Sequence, residues 1–146
     1  MEKSIEDVLI LPDLKNENVD AYQYSPLSLA YLGDSVLDLM VKSYFVVNVN
    51  KQTYKYHKDV TNIVNAVNQA AFVDMILDEL EGEELDIYKR GRNATTHSKA
   101  KNATRSEYRK ATGLEALFGY LYLKGNNDKL KKYVDSMIDI YLSKNS

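Results

Sequence analysis

SPLSLAYLGDSVLDLMVK, residues 25–42, carries the pattern from which the rest of the chain is read. Ser25 can accept hydrogen bonds from free backbone N–H groups and Pro26 suits a first helical turn, so a helix starts here. Gly33 and Asp34 stand in the middle of an otherwise strong helix pattern. A mid-helix Gly costs roughly 1 kcal/mol relative to Ala, so one kept there marks the close approach of another backbone. At about 100° per residue, Ser28, Asp34, Ser35, Asp38 and Lys42 share one side. Leu29, Ala30, Leu32, Val36, Leu37, Leu39 and Met40 take most of the rest. Asp34 therefore lies at the border between a buried and an open face. Leu27 and Tyr31 fall inside the polar stripe, which is odd for a monomer.

The chain has 146 residues, 45% apolar and 27% charged, which suits one soluble globular domain with its own core. With two prolines, six glycines and helical spacing almost throughout, the fold class is all-α. The absence of cysteine excludes a disulfide framework, a thiolate nucleophile and a Cys-ligated zinc, and fits a reducing cytosol. The start, MEKSIEDV, is acidic where a signal peptide is basic, and no apolar run reaches the ~20 residues that span a membrane. A cytoplasmic location with no membrane partner is expected.

Net charge is −2, but it is unevenly spread. Between residues 89 and 110, eight Lys/Arg (Lys89, Arg90, Arg92, Lys99, Lys101, Arg105, Arg109, Lys110) face Glu107 alone, a local +7 that leaves −9 for the other 124 residues. A phosphate-binding surface on an acidic body has this character.

Outside the central helix, residues 1–24 read as a polar lead-in. Helical spacing recurs over 53–67, with Tyr56, Val60, Ile63, Val64 and Val67, and over 68–80, with Ala71, Phe72, Met75, Ile76 and Leu80. A short helix over 84–92 has an acidic start and a basic end that suit its dipole. GRNATTHSKAKNATRSEYRK, residues 91–110, has almost no large apolar side chain and reads as an exposed arm, its basic loop over 93–105. A helix over about 106–124 follows, then a last amphipathic one from Asp128. No repeat and no second domain is evident, so 1–146 is taken as one unit.

In the penultimate helix, Glu115 shares its arc with Ala111, Thr112, Ala116 and Gly119. A carboxylate on a face of small residues needs a cation, a hydrogen-bond donor or a metal. Two helices that each set a Gly near an acid suggest packing that joins Asp34 to Glu115. Two carboxylates that close repel unless a hard divalent cation sits between them. Periodicity alone leaves open the plainer alternative, two half-exposed surface acids.

LAYLGDSVL, residues 29–37, strongly resembles the signature helix of the ribonuclease III catalytic domain, and EALFG, residues 115–119, resembles that family's second acidic motif. RGRNA, residues 90–94, and an end at Ser146 match the Mini-ribonuclease III branch, a catalytic domain without a double-stranded-RNA-binding domain. The resemblance spans about residues 25–123 in order. It implies an all-helical homodimer that cleaves double-stranded RNA with Mg²⁺, or alternatively Mn²⁺, leaving 5′-phosphate and 3′-hydroxyl ends. Asp34 and Glu115 match the family's acids and would be both catalytic and metal-holding. Ala30 and Thr112 stand where most members carry Glu and Asp. The Mini branch is similar at both positions, so two acids per site point to one ion rather than two. Tyr31 matches the aromatic ring that enters the partner subunit, and Leu27 joins it at the expected dimer interface. The branch implies precursor 23S ribosomal RNA as substrate, with a ribosomal protein as helper.

Candidate RNA contacts are His57, Arg92, Asn93, Lys99, Lys101, Arg105, Tyr108 and Arg109. They would grip phosphates without reading bases, so the duplex is recognised by shape. For each, a solvated surface role is the bland alternative; Asp38, one turn beyond Asp34, is expected to be merely solvated rather than to contribute to the site through water. Two competing readings remain at this level. A catalytically inactive ribonuclease III fold that only binds RNA would not need the acid pair, and a helical protein-interaction module would not need the basic arm.

Overall fold

The computed structural model describes residues 20–49, 52–94 and 103–145. Among these there are six α-helices and no strand: α1 (Pro26–Asn48), α2 (Thr53–Val64), α3 (Ala66–Ile76), α4 (Gly82–Asn93), α5 (Arg105–Leu123) and α6 (Asn127–Lys144). Short 3-10 turns at Ala21–Gln23 and Leu77–Glu79 precede α1 and follow α3. The all-α expectation holds. α1 starts as its sequence demands, with the Ser28 N–H donating to Ser25 Oγ at 3.1 Å and Pro26 in the first turn.

The hub is α5 rather than α1. From Ala111 to Leu121 every residue of α5 is buried except the half-buried Glu115. A helix apolar on all sides has to be wrapped by others, and α1, α3 and α4 do the wrapping. Phe118 stacks on Tyr133 of α6, and Phe72 of α3 meets the same ring edge-on. Tyr120 donates to Glu83 at 2.9 Å, and Lys129 pairs with Glu84 at 2.6 Å, so the acidic start of α4 is tied to α5 and α6.

Three expectations need correction. The break between the second and third helices falls at Asn65, not after Val67. Asn65 leaves helical geometry (ψ 159°) and its side chain accepts from the Asn68 N–H, restarting the helix. The arm is much shorter than residues 91–110. α4 runs on through Asn93 because Gly91 fits against Gly113 and Ala116 of α5. α5 begins at Arg105 because Thr104 and Glu107 cap each other's backbone N–H groups. Of the expected loop, residues 95–102 lie outside the described residues. Leu39, assigned to the inner face, is 50% exposed.

Candidate active site

The two acids are brought together by glycine. Gly33 of α1 lies against the Glu115 carbonyl so tightly that a Cβ there would stand 1.7 Å from that oxygen. One helical turn away the contact is reciprocated, for a Cβ on Gly119 would stand 2.1 Å from the Leu29 carbonyl oxygen. The pairing of residue 33 with 115 and of 29 with 119 means the helices run in opposite senses through the contact. Asp34, next to Gly33, is thereby set on the exposed rim beside the Glu115 side chain, and the two carboxyl groups share a hydrogen bond.

The raised affinity of Glu115 for a proton has a physical reason. Burial, reinforced by the Asp34 hydrogen bond and charge, pushes the Glu115 carboxyl up to about 9, against a smaller opposing effect of a hydrogen bond from Gln69. Glu115 in this position holds a proton that a bound cation would replace. The donor set therefore fits a hard divalent ion, which binds through one or two carboxylates and keeps several waters. No third Asp, Glu, His or Cys joins them among the described residues. Thr112 is buried and donates its hydroxyl to the Tyr108 carbonyl at 3.0 Å, satisfied within its own helix. Ala30 is buried core. Asp38 is not simply solvated but pairs with Lys42 at 2.8 Å.

Upstream on α5, Arg105 and Arg109 meet Arg92 and Asn93 of α4 around an open cavity of about 350 Å³, with Ser106 and Lys110 completing its lining. Arg109 precedes Glu115 by six residues, about 9 Å along the helix axis. Four of the expected RNA contacts thus converge. Arg92 Nε donates to Asn93 Oδ1 at 3.1 Å, and its guanidinium lies over the Tyr88 ring. His57 is exposed on α2, and Tyr108 is half-buried outside the cavity lining. Lys99 and Lys101 lie outside the described residues. Two members of the basic cluster have structural work instead. Arg90 donates to the Tyr22 and Tyr24 carbonyls at 2.8 and 3.5 Å and covers the Tyr22 ring, and Lys110 pairs with Asp74 at 2.7 Å.

Leu27 (44% exposed) and Tyr31 (84% exposed) project from α1 one helical turn apart. Sequence reasoning missed Gln69, a buried amide that reaches Glu115. Its signal was faint, one of three polar residues in α3, beside Asn68 and five positions before Asp74.

The Ribonuclease III domain family matches residues 27–126, which contain both acids, both glycines and the cationic cavity. The chain belongs to the ribonuclease III family. Its relatives in that family include the Mini-ribonuclease 3 of Clostridium tetani, 39% identical over 124 residues that cover 84% of this chain and 82% of that protein. The Mini-ribonuclease 3 of Staphylococcus aureus is 39% identical over 118 residues, covering 80% and 88%. A crystal structure of a Fusobacterium nucleatum protein superposes with a TM-score of 0.73 at 32% identity, covering 80% of this chain and 93% of that one. The ribonuclease III domain and these relatives make the chain an endoribonuclease. No helix among the described residues is long and apolar enough to cross a membrane.

Proposed function

We propose that this ribonuclease III family chain is a divalent-metal-dependent endonuclease for double-stranded RNA that matures precursor 23S ribosomal RNA in the cytoplasm. The observation that carries it is the Asp34–Glu115 pair, two carboxyl groups held against each other by a reciprocal glycine contact. Asp34 and Glu115 would hold Mg²⁺ or Mn²⁺. When bound, such an ion lowers the pKa of water and neutralises charge on the phosphate. Asp34, on the rim, faces the substrate side, while Glu115 is rooted in the core and fixes where the pair sits. Water attacking phosphorus in line with the departing 3′ oxygen breaks the P–O3′ bond and leaves a 5′-phosphate and a 3′-hydroxyl.

Arg92, Arg105 and Arg109 would grip the backbone, joined by Lys99 and Lys101, with His57 on α2 as an outlying contact. Phosphate contacts orient a duplex without reading it, so cleavage-site choice comes from RNA shape and from a helper such as a ribosomal protein. A long RNA duplex incubated with the protein and Mg²⁺ at low salt is expected to be cut. EDTA is expected to stop the cutting, and raising the salt to weaken binding steeply. Cutting that continues in EDTA would overturn the metal role.

Tyr31 and Leu27 would form the core of a two-fold dimer interface, since a symmetric contact repeats one patch on both partners. Tyr31→Ala is expected to shift the protein toward monomer in sedimentation and to lower cleavage with it. An unchanged sedimentation coefficient would move the interface elsewhere.

A further inference from the structure

Among the described residues, Gln69 Oε1 is the buried side-chain atom left without a hydrogen-bond partner. Gln69 lies on the face of α3 that packs on α5, only 3% exposed, among Ala70, Phe72, Val73 and Ile76. Its other end is held by Nε2 donating to the Val64 carbonyl at 2.5 Å. The Gln69 side chain also reaches the Glu115 carboxyl and favours its charged form. The Val64 carbonyl is free to accept because α2 ends there, and the last carbonyls of a helix lack helical partners.

The two ends of an amide are alike in shape and opposite in hydrogen-bonding character. A carbonyl oxygen accepts only, so Val64 admits the NH₂ end of Gln69 and repels its oxygen. Nε2 has two protons. With one on Val64, the other is left for the Glu115 carboxylate. The Val64 carbonyl therefore decides that Glu115 meets a donor rather than an acceptor, and the bare Oε1 is what that orientation leaves behind. Unsatisfied buried groups of this kind call for an explanation, and a catalytic role is among those available.

We propose that Gln69 is a positioning residue, oriented by the Val64 carbonyl, that holds the Glu115 carboxylate in the geometry it shares with Asp34. This rests on the reading of Asp34 and Glu115 as a metal-holding pair. Partners that orient metal-holding carboxylates typically change affinity or activity by about 10- to 100-fold when removed.

The test uses the full chain as wild type, Gln69→Leu and Gln69→Met, both of similar bulk to Gln. Thermal melting reads the fold, Mn²⁺ binding without RNA is followed by electron paramagnetic resonance, and kcat and KM are measured on a duplex. Both variants are expected to fold and to melt near the wild type, because the bare oxygen is gone while the Val64 carbonyl loses its donor. The Mn²⁺ dissociation constant is expected to rise about tenfold or more and kcat to fall by a similar factor, with KM within about twofold. A folded variant whose Mn²⁺ affinity and kcat stay within about twofold of wild type overturns the proposal. If neither variant folds, the wild type decides by NMR. The Gln69 side-chain amide protons are expected to shift on addition of Mg²⁺ alone, and signals that do not move at saturation overturn it. A wild type that fails to bind Mn²⁺ overturns the acid-pair reading and this proposal together. One that binds Mn²⁺ and cuts beside an indifferent Gln69→Leu overturns the role of Gln69 alone.

Discussion

Glu115→Gln is expected to stop duplex cleavage, by on the order of a thousandfold, while fold and duplex binding survive. The same substitution is expected to make the metal-free protein more stable at alkaline pH, because the native Glu115 is held in the wrong protonation state there. Its carboxyl titrates at about 9 in the folded chain against an ordinary value of 4.5, through burial and then through Asp34. Between those values the folded state keeps a proton that the unfolded state releases. Stability tied to this group is thus fully present below about pH 4.5, falls with each pH unit above it, and is lost as pH rises through about 9. Gln carries no such slope. Melting curves recorded from pH 5 to 9 without metal should therefore fall away for the wild type relative to the variant. Mg²⁺ should restore the wild type most at the alkaline end, since metal replaces the proton. Parallel curves for the two proteins would show that Glu115 is not desolvated as described, and undiminished cleavage would take the site away from it.

Gly33→Ala should damage the fold itself. In an isolated helix the change gains about 1 kcal/mol of propensity. Here the new Cβ would stand 1.7 Å from the Glu115 carbonyl oxygen, and that neighbour is backbone, which cannot swing aside. Ordinary C···O contact lies near 3.3 Å, so α1 and α5 would have to part by roughly 1.5 Å. Overpacking of that kind costs up to about 3 kcal/mol and occasionally more, which exceeds the propensity gain. A net loss of about 2 kcal/mol lowers the melting temperature by roughly 4–8 °C in a chain of this size. Cleavage should fall further than stability does, because Asp34 moves with Gly33. A variant that melts at or above the wild type would mean the helices do not touch there.

What could be read without coordinates was whatever repeats along one helix. Gly33 and Gly119 each broke an otherwise good helical pattern beside an acid, and the only reason to keep a glycine in such a place is a neighbour. Features made by two elements were less legible. Asn65 fits a continuous helical pattern through Val64 and Val67 as well as it fits a cap, so the break between α2 and α3 was displaced. Arg90 entered the local charge count without a partner because only the folded chain brings the Tyr22 and Tyr24 carbonyls to it. Lys110 was counted without its partner for the same reason, Asp74 lying on another helix. The arm was drawn too long because Gly91 and the Thr104–Glu107 cap build helix ends without large apolar residues. Gln69 was missed because polarity in a sequence suggests exposure, whereas its role depends on burial.

The all-round burial of α5 also limits how this chain can change length. Inserting one residue into a helix turns everything beyond it by about 100° and advances it about 1.5 Å. An exposed-faced helix can sometimes absorb such a shift by presenting a different stripe. α5 has no free side between Ala111 and Leu121, and a one-residue insertion ahead of Glu115 would swing Arg105 and Arg109 out of phase with both the carboxylate and Arg92 of α4. The contact at Gly33 and Gly119 locks the phase of α1 to that of α5 in the same way. A change of length between the helices, by contrast, leaves the acid pair in register.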